Sequence, residues 1–345
     1  MNDNNIIRQT FTPSNSNNFM FILIGVGILL QLVIGMILGV VMIVNPEFSI
    51  GDIPFWALIL GSQVLTFGIP CSIYLLIKRK HIKEILPLRP LGWLNVLMII
   101  GLSLMIQPLF MLINAVSQLI FPNVILDAMM GVNLEGGLWL TLLIVAVVPS
   151  IFEEVAFRGI GFVGYKSVKI STAAIINGLV FGIIHMNMNQ FLYAFMLGAV
   201  FCYFMYYTKS LWAPILAHFI VNGTQSFMLF ILTLIDPDAM DATAEINMYL
   251  GDFETVLAFI SLGVIALFAT GIFIAIYIPF KRYNLQRNES EGIVTDTAAA
   301  AREAGEQPPK AFTWAIWVTI AIFAMMMVMN YIIVPVLLPA LETII

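Results

Sequence analysis

Three short stretches carry the side chains that could do chemistry: Glu153, Glu154 and Arg158 in PSIFEEVAFRG, Phe181 and His185 in FGIIH, and His218 and Asn222 in HFIVN. Each lies in or beside an apolar run, where an ionisable group is costly and is a functional candidate for that reason. At 100° per residue, positions 154 and 158 share a helical stripe, while 153 points about 100° away from 154. Glu154 is therefore placed to pair with Arg158 in the favourable i, i+4 order, and Glu153 is left to face something else. A carboxylate, two imidazoles and a carboxamide on three helices could converge to activate water and stabilise an oxyanion. The same residue types also serve duller ends. Most Glu–Arg pairs are structural, a membrane histidine often just bonds a neighbouring helix, and an asparagine one turn along is commonly helix glue. Spacing alone leaves an enzyme and an ion pathway equally placed.

The elements that must position these groups are membrane spans. With 61% hydrophobic residues and 10% charged, the chain lies far outside the roughly 45–50% apolar fraction of soluble domains. Apolar runs at 20–44, 54–77, 94–121, 137–152, 172–185, 190–207, 211–235, 255–279 and 312–337 approach or exceed the about 20 residues that a spanning helix needs. The expectation is an all-α, polytopic transmembrane helix bundle of about nine spans, eight plus a C-terminal accessory span that carries no ionisable residue. The run at 172–185 is short, so it borrows flanking residues or ends inside the protein, with His185 as its last residue. Gly35 and Gly39 in GMILG are candidates for close helix packing. The polar stretch 281–311 reads as a linker. The first apolar run is too long for a signal-peptide core and reads as a retained anchor.

Charge sets the expected orientation. With the N-terminus in the cytoplasm, the inside segments of a nine-span chain hold all 15 Lys and Arg, among them Lys78, Arg79, Lys80, Lys83, Arg89, Lys166, Lys169 and Lys209. The opposite loops hold only acids, with a cluster at Asp236, Asp238, Asp241, Glu245, Asp252 and Glu254. This is the positive-inside pattern, and it predicts a multi-pass cell-membrane protein with its C-terminus outside. The net charge of −5 gives no reason to expect a nucleic-acid partner. Cys71 and Cys202 have no CxxC spacing and read as apolar fillers. His81, in KRKHIK, reads as a solvated loop residue.

The ordered set EExxxR, FxxxH and HxxxN, read here as Glu153 to Arg158, Phe181 to His185 and His218 to Asn222, resembles the CAAX-protease and bacteriocin-processing (Abi) family of intramembrane endopeptidases. The resemblance covers roughly residues 137–225. It implies a helical fold with a conical cavity opening toward the cytoplasm and peptide-bond hydrolysis within it. Glu153 and His185 would then activate water, His218 and Asn222 would hold the oxyanion, and Glu154, Arg158 and Phe181 would support them. The chain divides on this reading into spans 1–3 (1–136), a catalytic helical core (137–235), an outer loop with span 8 (236–280), the linker (281–311) and the last span (312–345). The expected partners are a peptide or protein substrate at the membrane and the lipid bilayer.

Two other readings belong beside this one. A silent family member would act as an immunity protein or scaffold, although every residue that hydrolysis needs is present. An ion-coupled transporter would use Glu and His as a relay, although the polar residues form one local site and not a path. Family members have been described both with and without metal, and Glu153, His185 and His218 could supply the three ligands of a catalytic zinc. The zinc helix HExxH is absent, and a ligated Glu153 would no longer serve as base. The expectation is therefore hydrolysis without a cofactor, with zinc as the alternative.

Overall fold

A computed structural model describes residues 11–121, 124–235 and 253–335, and all of their regular structure is helical. In chain order the apolar helices are α1 (Pro13–Val44), α2 (Phe55–Ile77), α3 (Trp93–Gln118), α4 (Glu135–Val163), α5 (Ile170–Ile184), α6 (Met188–Thr208), α7 (Trp212–Ile235), α8 (Phe253–Ser290) and α9 (Trp314–Ile333). All but α5 are long and apolar enough to cross a bilayer, so the chain is a multi-pass membrane protein. At 15 residues, α5 reaches only about 22 Å, short of the roughly 30 Å hydrocarbon core. Its C-cap is His185, which thus ends inside the bundle. Arg8, the acids from Asp236 to Asp252 and Glu342 lie outside the described residues.

Two helices form the centre. Half of the most apolar stretch of α4 and of α6 is buried inside the protein, against 11% for α1, α2 and α8. Two apolar cores fill the bundle. One joins α1, α2, α4 and α5 through Phe19, Leu23, Phe67, Phe157 and Phe181; the other joins α3, α6, α7 and α8 through Leu102, Phe201, Phe204, Val221 and Phe280. α5 and α6 approach closely. A Cβ on Gly178 would lie 2.5 Å from the Phe195 carbonyl oxygen, and one on Gly182 would lie 2.7 Å from that of Phe191. These two small residues, four apart, let the backbones touch. The expected pair Gly35 and Gly39 has nothing within 4 Å. That half of α1 is largely exposed, with no helix among the described residues close enough for a small residue to help.

α4 does not end where its apolar run does. It continues to Val163, so Glu153, Glu154 and Arg158 stand within the helix and are buried, not at its edge. Wide π-turns at Leu142–Val147 and Val155–Ile160 flank the regular segment Val148–Glu154 that bears the glutamates. Such turns often occur at functional sites.

The stretch 281–311, expected as a linker, begins as the last turns of α8. There Asn284 and Asn95 exchange amide hydrogen bonds of 2.7 and 3.0 Å. Arg287 donates to the carbonyls of Pro90 and Leu91, and Asn288 to that of Tyr207. A short helix, Thr297–Glu303, follows, capped by Asp296. α9 is likewise held. Asn17 of α1 donates to the Ala311 carbonyl at 2.9 Å, and Phe323 meets Phe191 of α6 at 5.0 Å between ring centroids.

Candidate active site

Glu154 and Arg158 pair as their spacing predicts, with Nη1 to Oε1 at 2.9 Å and both side chains fully buried. The same Oε1 also receives Nδ1 of His218 from α7 at 2.8 Å. Arg158 spends Nη2 on the Gly198 carbonyl of α6 at 2.9 Å. Its guanidinium lies 4.4 Å from the centroid of Phe181, 5.3 Å from that of Phe201 and 5.8 Å from that of Phe157. Phe157 and Phe181 belong to one apolar core and Phe201 to the other, so the ion cluster sits on the seam between them. Rings on several sides supply the cation–π attraction that a dry guanidinium requires. The Phe181 ring also meets His185 at 5.1 Å and His218 at 6.0 Å, both edge-on.

Glu153 points elsewhere. Its Oε1 accepts from Nε2 of Gln63, on α2, at 2.7 Å. Together with His185 it lines a cavity of about 220 Å³, whose wall includes Gln31 of α1, Gln63, Met186 and Gln190. His185 brings Nδ1 within 2.7 Å of the Phe181 carbonyl. A carbonyl only accepts, so Nδ1 carries the proton, and in the neutral ring Nε2 is the acceptor. The tight turn beyond it holds Met186 at φ 50°, and Asn187 caps α6 by accepting from the Asn189 amide. The cavity runs along the middle of α1 and α2. A second cavity, at the end where the basic loops gather, is lined by Arg158 but not by Glu153.

Asn222 donates Nδ2 to the Val145 carbonyl of α4 at 3.0 Å. The local cause is Pro149, which has no N–H to give the carbonyl four residues before it. Asn222 thus caps a backbone break and keeps one amide hydrogen in reserve. Asn177 of α5 does similar work on the second π-turn, donating to the Phe157 carbonyl at 2.9 Å.

Residues 135–224 match the family described as "Rce1-like: Type II CAAX prenyl endopeptidase Rce1-like", and all seven motif residues fall inside that range. Over this segment the chain is similar to the CAAX-protease family. Over 84 residues it is 32% identical to "Putative membrane peptidase YdiL" of Bacillus subtilis (strain 168), a match covering 24% of this chain and 34% of that protein. The chain therefore spans about a third of the length of this curated relative. No solved structure matches the chain.

Among the described residues no three His, Cys, Asp or Glu side chains converge as ligands. Nδ1 of His218 is turned to Glu154, and Oε1 of Glu153 accepts from Gln63. Gln63 lies outside the segment, 90 positions from its partner, and escaped the sequence reading. Its signal was a carboxamide in an otherwise apolar run.

Proposed function

We propose that the chain is an intramembrane endopeptidase of the CAAX type that hydrolyses a peptide bond of a membrane-associated substrate with water activated by Glu153. The observation that carries this reading is the division of labour between adjacent carboxylates. Glu154 is consumed by Arg158 and His218, while Glu153 stands with His185 on a cavity wall. In the proposed step a water between them gives its proton to the Glu153 carboxylate as its oxygen attacks the scissile carbonyl carbon. Nε2 of His185 orients the water by accepting its other hydrogen. Collapse of the tetrahedral intermediate breaks the C–N bond, and Glu153 returns the proton to the departing amine nitrogen.

His218 and Asn222 serve the oxyanion. For His218 this carries a condition that its hydrogen bond defines. With Nδ1 donating to Glu154, Nε2 can donate to an oxyanion only when both ring nitrogens are protonated. No metal enters the step. Zinc that copurifies in stoichiometric amount, whose chelation abolishes cleavage and whose return restores it, would overturn this part.

Proteolysis of a membrane-presented peptide by purified protein, compared with Glu153→Gln, tests the function. The expected result is product from the native chain alone. Equal product from both would exclude Glu153 as base, and no product from either would favour the silent scaffold. The same proposal places the N-terminus and the basic loops in the cytoplasm and the C-terminus outside. Cysteine probes at 284–308 should then label from the cytoplasm and probes at 237–251 only from outside. Reversed labelling would discard that orientation.

A further inference from the structure

The cavity at the basic rim has no part in the proposed hydrolysis. It measures about 270 Å³ and is walled by Lys83 and Glu84 before α3, Lys166 after α4, Lys209 after α6, and Ile293, Val294 and Asp296 beyond α8. That volume is just below the roughly 300–1,000 Å³ of small-molecule sites, which suits a headgroup and not a peptide. Arg158 also lines it. Its Nε is buried without a hydrogen-bond partner among the described residues.

Lys209 is the most unusual wall residue. It follows α6 in the left-handed conformation, at φ 53°, a place normally given to glycine or asparagine. Its ammonium nevertheless turns inward, 3.0 Å from the Thr295 carbonyl and 4.5 Å from the centroid of the Tyr206 ring. Backbone strain at a side chain aimed into a cavity suggests that the side chain is used there. Three ammonium groups face two carboxylates, Glu84 and Asp296. Asp296 is already engaged as cap of the short helix.

We propose that this cavity binds a phosphate-bearing anion, supplied by an acidic lipid headgroup or by free phosphate. The anion takes charge-assisted hydrogen bonds from Lys166 and Lys209 and neutralises cations that the wall leaves in excess. Burial, aided by the Lys166 and Arg89 charges and opposed by Asp296, holds Lys209 down at about 8. A cation held low loses its charge as pH rises through that value, so binding weakens above about pH 8.

The test uses the full chain in detergent and reads the unfolding temperature. One arm titrates inorganic phosphate against chloride at matched ionic strength, and the other titrates phosphatidylglycerol against phosphatidylcholine. The native chain should show saturable stabilisation, and the double variant Lys166→Gln/Lys209→Gly should bind at least about tenfold more weakly. Glycine suits the left-handed position and Lys166 is exposed, so the variant keeps its fold. Lys166→Gln alone, at an exposed position, should show part of the loss. Lys169→Gln, which does not line the cavity, should bind as the native chain does. Saturation by phosphate identifies free phosphate, and saturation by phosphatidylglycerol alone identifies a headgroup. No saturation in either arm, or equal affinity in the double variant, would overturn the proposal.

Discussion

Glu153 and Glu154 are neighbours in sequence and opposites in surroundings. Glu154 is fully buried on the seam between two apolar cores, with a guanidinium and an imidazole on one of its oxygens. Glu153 meets a neutral carboxamide and a cavity. One carboxylate ties α4 to α7 and anchors Arg158, and the other lines a cavity. A turn of about 100° on one helix is enough to give the two such different surroundings, because the helix lies at the centre of the bundle and its faces meet different neighbours.

The sharpest way to break this contrast is Glu153→Gln, which keeps shape and removes the proton acceptor. Turnover should fall by about 100- to 10,000-fold with the unfolding temperature unchanged. Glu154→Gln should do the reverse. It leaves a buried guanidinium without its counter-charge, a defect that typically costs about 3–5 kcal/mol, so denaturant resistance and expression should fall before any direct effect on chemistry. Exchange of the two phenotypes would reverse the assignment. His218→Ala and Asn222→Ala probe the region where the two roles meet. Each should lower turnover by roughly 100- to 1,000-fold with substrate affinity largely kept. Equal losses of binding and turnover would make them docking residues. The smallest expected effect is that of Gln63→Leu, which removes the donor to Glu153 and should cost about tenfold in turnover. A pH–rate profile displaced from that of the native chain would show that it acts through Glu153, whereas an unmoved profile would leave Gln63 a packing residue.

Local periodicity was sufficient for much of the architecture. Among the described residues the nine apolar runs became nine apolar helices, and the shortest run ended inside the bundle with His185 at its cap. The Glu154–Arg158 pair followed from the stagger of one helix, and the CAAX-protease likeness lay in three short motifs. Each of these is a property of a single segment, set by hydropathy and helical pitch, and so can be read without knowing what the segment touches.

Other features required the tertiary structure. The bond from His218 to Glu154 spans 64 positions, that from Asn222 to Val145 spans 77, and that from Gln63 to Glu153 spans 90. The folding of 281–311 against the basic rim, and the choice of Gly178 and Gly182 over Gly35 and Gly39 as contact glycines, depend in the same way on which helix lies opposite. The sequence by itself determined which helices form and which polar groups must be satisfied within them. Only their packing decided the partners, because a hydrogen bond between helices has no signature in either helix alone.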